Sequence, residues 1–191
     1  MKQMTMTCAL VVTVALVSGG CEKKREADRV GGGASPGSSA GAAASGLPSG
    51  LFLTSVPESA LEVRAAKAAV QQGERVVMRG RIGGSVDPFV EGRAIFTLMD
   101  VALPSCADNP DDHCTTPWDY CCETRKDIVA HAATVRVSDA EGHPLRVSLK
   151  GVSGLAGLSE VVVVGTVVER DDAGNFVVDA SGLFVAAKGG T

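Results

Sequence analysis

Aromatic side chains are scarce in this chain: five Phe, one Tyr and one Trp among 191 residues. A core of ordinary density must then be filled by Val, Leu, Ile and Ala, and the dominance of Val favours strands. Catalytic signatures are missing as well. There is no HExxH, no GxSxG and no GxxxxGK[ST]. Gly151-Val152-Ser153-Gly154 falls short of a nucleophile elbow, and His113, His131 and His143 pair with no nucleophile. His143, before Pro144, reads as a turn residue. Positive charge is not in excess: 18 Lys and Arg against 22 Asp and Glu give a formal net charge of -4. The overall field therefore attracts neither nucleic acid nor anionic lipid. No apolar run reaches the ~20 residues of a membrane-spanning helix. These absences predict a non-enzymatic protein for which nucleic acid is not an expected partner.

What is present begins with a targeting segment. Lys2 precedes an apolar stretch from Met4 to Val17, then Ser18-Gly19-Gly20 and Cys21. Residues 1–20 read as a signal peptide, with Cys8 an apolar filler inside it. The junction resembles a bacterial lipobox, although Ser18 stands where Leu or Val is usual. The resemblance implies lipid attachment at Cys21, hence a lipoprotein tethered to a membrane in the bacterial envelope, facing the periplasm or exterior. Simple secretion and an uncleaved anchor remain the alternatives, because Ser18 and Gly20 also suit ordinary signal peptidase.

Residues 21–56 carry a short charged run, then Gly, Ser and Ala with little to bury, and predict a disordered linker. About 30 such residues reach roughly 30 Å. Residues 57–73 predict a helix, with Ser59 as candidate cap, Leu61, Ala65, Ala68, Ala69 and Val70 as apolar face, and Gly73 as stop. From Glu74 the period becomes two. Strands are expected at 75–83, 94–100, 133–139, 145–151, 161–170 and 175–185, with hairpin turns at AEGHP and DDAG and a short helix or turn at 154–160. Gly80 and Gly165 inside strands mark bends. The predicted core is Val76, Met78, Ile82, Phe96, Val135, Val137, Val147, Val162, Val164, Val177 and Phe184, with Ile95 competing with Phe96 for the inward face.

The fold class expected is mainly β: a small closed barrel over residues 74–188 with one N-terminal helix, one short helix before the last hairpin, and a cysteine-rich insertion at 101–132. RVVMRGRIGG, AIFTLMD and VVVVGTVVERDDAGNFVVDASGLFV resemble the OB-fold, in particular small bacterial OB-fold proteins of the anticodon-binding-like group. TPWDYCC resembles a stretch in uncharacterised bacterial lipoproteins. These likenesses imply a fold and an address, not an activity.

The insertion contains CADNPDDHCTTPWDYCC, with Cys106, Cys114, Cys121, Cys122, the sole Trp and the sole Tyr. A loop of this length with no period needs crosslinks to hold it. In an oxidising compartment, two disulfides are expected, with Cys121 and Cys122 bonded to different partners because neighbours in an extended segment diverge. The alternative is zinc or copper held by the four thiols with His113 or His131 nearby, since thiolates suit both metals. Against it, C-x7-C-x6-CC matches no zinc-ribbon spacing. A thiol–disulfide enzyme lacks its CxxC. Asp108, Asp111 and Asp112 read as a solvated acidic turn without EF-hand spacing.

Trp118 and Tyr120 offer a binding surface or, more plainly, pack the loop onto the barrel. Arg75, Arg79 and Arg81 share one strand face, where OB-folds bind oligonucleotides or oligosaccharides. Without aromatic platforms, a solvated exterior is the better reading. The function expected is a membrane-tethered binding module with a disulfide-stapled loop, its partner an envelope protein or polysaccharide and no cofactor. The alternative is a metal-handling (zinc or copper) or redox lipoprotein.

Overall fold

A computed structural model describes residues 46–187; Cys8, Cys21, the signal peptide and most of the linker lie outside them. The strands are β1 (Leu61–Glu62), β2 (Arg75–Ile82), β3 (Ile95–Met99), β4 (Ala132–Arg136), β5 (Glu160–Arg170) and β6 (Phe176–Ala187). The helices are α1 (Val63–Ala69) and α2 (Arg125–His131). β2 pairs with both β3 and β5, so the order β2-β3-β4-β6-β5 closes on itself. The contacts are antiparallel except β4 with β6. The result is the expected small closed, OB-like barrel of five strands, and closure removes the exposed edges an open sheet would have to protect.

Alternation along β2 puts Val76, Met78 and Ile82 into the core and leaves Arg75 and Arg79 exposed. Phe96, not Ile95, points inward, and its ring meets Phe89 at 6.0 Å between centroids. In the closing hairpin the expected phase is reversed. Val161, Val163, Val167, Phe176, Val178, Ala180 and Leu183 form the core, whereas Val177 and Phe184 are only half-buried. Val162 and Val164 are nevertheless buried. A run of Val on both faces carries no period, so phase could not be read there. A bulge between Val164 and Gly165 shifts the register again. Gly165 has no room for a side chain, since a Cβ would lie 2.4 Å from the Asp179 carbonyl oxygen.

Three expected elements differ. The helix is shorter than 57–73: Ser59 is no cap, and Leu61–Glu62 instead pair parallel with Met78–Arg79. Residues 145–151 form no strand; a single bridge, Ser138 to Pro144, closes the turn before a 3-10 turn at Val152–Gly154. The end of the supposed linker is folded. Leu51 is buried, and Phe52 bridges to Leu183. Short apolar clusters such as Leu51-Phe52-Leu53 attach a chain without a periodic signal.

α1 sends Val63 and Ala66 into the core. Glu62 gives no side-chain cap. Asp100, buried at the end of β3, accepts the Arg64 amide at 2.7 Å and the Ala102 amide at 2.8 Å. One carboxylate thus satisfies an orphan helix donor and starts the insertion. The Asp100 amide donates to the His131 carbonyl at 2.8 Å, so the insertion leaves and re-enters the sheet side by side.

Candidate metal centre

α2 was not foreseen inside the insertion. Thr124 caps it by accepting the Asp127 amide. At its far end Lys67 Nζ donates to the carbonyls of Val129 (2.7 Å), Ala132 (2.9 Å) and Gly174 (2.9 Å). Burial lowers the Lys67 pKa, with the Arg170 charge adding to it and Asp171 opposing. The other end of the insertion is fixed by Arg81, which donates to Asp108 at 2.7 Å and to Ser105 at 3.1 Å. Asp108 also closes a capping box with Ser105. Burial alone would raise the Asp108 carboxyl, but the bonds from Ser105 and the Arg81 guanidinium hold it below the usual range. Arg79 is taken by Glu62. Of the proposed arginine face, only Arg75 lacks a bond or ion pair of this kind among the described residues.

The aromatic pair packs. The indole of Trp118 lies against Gly157, where a Cβ would meet it at 2.6 Å, and its Nε1 donates to the Val86 carbonyl at 2.9 Å. Tyr120 is fully buried with Met99, Leu103, Ile128 and Ala132, which removes it from any binding surface. Its hydroxyl has no hydrogen-bond partner among the described residues. Burial pushes its pKa up to about 12.

Between these anchors the four cysteines converge as free thiols. Cys106 Sγ lies 3.6 Å from Cys121 Sγ, and Cys114 Sγ lies 3.7 Å from Cys121 Sγ. A disulfide requires about 2.05 Å, and neither of these sulfur pairs lies at that distance. Asp119 Oδ1 accepts from Cys106 Sγ at 3.7 Å and Cys114 Sγ at 3.9 Å, and these four donors all lie within 4.8 Å of one another. Cys106 also belongs to a second set with Asp112 and Cys122. Cys121 and Cys122 therefore both reach toward Cys106. The expectation that they diverge assumed an extended segment; Tyr120 just before them has φ 59 and the chain turns. His113 belongs to neither set, and His131 Nδ1 faces the Asp127 carbonyl.

No family model matches this chain. Comparison with curated proteins and with solved structures likewise gives no match. The chemistry must be argued from the donors alone.

Sequence reasoning missed both carboxylates. Asp112 was read as part of an acidic turn, and Asp119 only as the residue between two aromatics. Their signal is a repeated Asp-x-Cys: Asp112-His113-Cys114 and Asp119-Tyr120-Cys121. In each, Oδ1 accepts the amide two residues on, at 3.0 Å for Cys114 and 2.9 Å for Cys121. This Asx turn fixes each Asp side chain: a carboxylate oxygen of Asp119 lies within 4.8 Å of the Cys121 sulfur two residues on, whereas Asp112 Oδ2 meets Cys122 Sγ at 3.1 Å. Burial would raise the Asp119 carboxyl, but donation from Thr116, the Cys121 amide and the Cys121 and Cys106 thiols outweighs it and holds it low. Hydrogen bonding with Cys106 and Cys114 raises the Cys121 thiol, and bonding with Asp112 pushes Cys122 up to about 11.

Proposed function

We propose that this protein is a non-enzymatic, membrane-tethered lipoprotein of the bacterial envelope whose barrel presents a thiolate centre for a soft or borderline metal, zinc or copper(I). One observation carries the reading: the spacing of the donors around Cys121 and Asp119. A tetrahedron with zinc–sulfur bonds of about 2.3 Å has sulfur–sulfur edges of about 3.8 Å, and a sulfur–carboxylate edge of about 3.5 Å. Four of the six edges are 3.6 and 3.7 Å between sulfurs and 3.7 and 3.9 Å to oxygen, and the other two are under 4.8 Å. Those four lie within about 0.4 Å of the ideal. Three thiolates suit zinc and copper(I) over hard cations.

The tether rests on the lipobox-like junction at Cys21. The OB-like barrel then serves as a rigid base, and its arginine-bearing strand stabilises the insertion rather than a polymer ligand. The test is isolation from the envelope without reductant, followed by metal analysis and intact mass. Stoichiometric zinc or copper with four free thiols in the insertion is expected. Two disulfides, about four hydrogens lighter, without metal would overturn the reading and restore the stapled binding loop. Release of the Cys21→Ser variant from the membrane checks the anchor separately.

A further inference from the structure

We propose that the insertion holds two cations, with the Cys106 thiolate shared between them; this rests on the metal reading above. The first cation takes Cys106, Cys114, Cys121 and Asp119. The second takes Cys106, Cys122 and Asp112.

Donor accounting motivates the second site. A tetrahedral zinc is saturated by four ligands. The first set supplies them all, leaving Cys122 and Asp112 unused. Those two are not scattered: Cys122 Sγ lies 3.1 Å from Asp112 Oδ2, and both are within 4.8 Å of Cys106 Sγ. A thiolate sulfur has lone pairs for two metals at once, and Cys106 is the donor common to both sets. Charge argues the same way. Four thiolates and two carboxylates carry six negative charges when all are ionised. One divalent cation leaves four, and two leave two. Arg81, which reaches Ser105 next to Cys106, is already held by Asp108 at 2.7 Å.

The two sites differ in access. The first is closed by its own four donors. The second has three and borders a cavity of about 160 Å³ lined by Cys106, Asp112, Tyr120 and Cys122 among others. That is room for about five waters at roughly 30 Å³ each. Tyr120, whose buried hydroxyl has no partner among the described residues, is one of the residues lining this cavity. Three protein ligands with an open position distinguish exchangeable or reactive metal sites from structural ones. The first cation therefore fixes the loop, and the second is the exchangeable one, with water or a small anion completing its shell beside Tyr120.

The experiment uses the full chain with Cys8→Ser and Cys21→Ser, so that only insertion thiols count, produced without export and kept reduced. Zinc is titrated and counted by native mass spectrometry. Two zinc per chain are expected, one of them removed first by a chelator. Asp112→Asn combined with Cys122→Ser should leave one. Should that variant lose its β circular dichroism, Asp112→Asn alone must weaken only the more labile zinc, at least tenfold. With cadmium in place of zinc, two cadmium resonances should both couple to the β-protons of Cys106. A single zinc in the parent chain, two zinc retained in the double variant, or coupling of Cys106 to one cadmium only would each overturn the shared site while leaving a metal centre standing. No zinc at all would remove the metal reading and this inference together.

Discussion

Replacing Gly83 by Ala tests how the insertion is held to the barrel. A Cβ there would lie 2.5 Å from the Trp118 carbonyl oxygen and 2.7 Å from Tyr120 Cε2. Neither neighbour is a flexible tip: one is backbone, the other a fully buried ring. The carbonyl also accepts the Gly84 amide at 2.8 Å, so it retreats only by giving up that bond. Gly83 itself does not have a positive φ, so the penalty is contact rather than backbone strain. Overpacking of this kind costs about 1–3 kcal/mol, and a lost hydrogen bond about 1 kcal/mol. The expected destabilisation is therefore about 2–4 kcal/mol, unless the insertion lifts away and relieves it. Lifting is local, because Tyr120, Met99 and Leu103 form a cluster separate from the barrel core. Trp118 is the only Trp in the chain, so its fluorescence reports the insertion alone. Red-shifted emission and easier quenching are expected, with barrel circular dichroism kept. Unchanged emission together with a stability change under about 0.5 kcal/mol would refute the packing account.

Two further outcomes follow from buried polar groups. The single Tyr of the metal-free, reduced protein should form phenolate only near pH 12. Its folded pKa exceeds the ordinary value near 10, so the stability it contributes is complete below about pH 10 and is lost as pH rises through about 12, by about 2–3 kcal/mol; a phenolate absorbance midpoint near 10 in the folded protein would show that Tyr120 is not buried. Lys67→Met keeps the aliphatic stem but strands the carbonyls of Val129, Ala132 and Gly174. Partial solvent access moderates the loss, and about 2 kcal/mol is expected from the urea midpoint; no change would mean these carbonyls are hydrated without the lysine.

The barrel was legible because its strands alternate and its turns are marked. Val76, Met78 and Ile82 against Arg75 and Arg79 could be read directly. Val161 to Val164 could not, since four Val in a row present the same residue to both faces. The 57–73 helix was overextended because Ala-rich sequence is permissive and the residue that satisfies its first turn, Asp100, comes from a distant strand end. In the insertion, cysteine count and address argued for disulfides. The Asx turns at Asp112 and Asp119 are local and repeated, but the thiol that Asp112 meets is Cys122, ten residues on, and such a short motif has no meaning until Cys106 is folded against it.

Preorganisation links these observations to the proposed metal centre. A free loop would have to lose backbone and side-chain freedom on binding, at about 1–2 kcal/mol per ordered residue. Here contacts from the protein itself hold the loop at several points. Its entry is held by Asp100, its first turn by Arg81, its centre by Trp118 and Tyr120, and its exit by α2 and Lys67. Every one of these contacts is to the barrel, to α1 or within the insertion, and none uses a thiol. The fold supplies much of the ordering, and on the proposed reading the thiols are left to the cation. Arg81 serves the loop through Asp108, so its guanidinium is turned toward the insertion. An OB-like barrel supplies the one feature a long irregular insertion lacks, two adjacent strand ends, Met99 and Ala132, held in register.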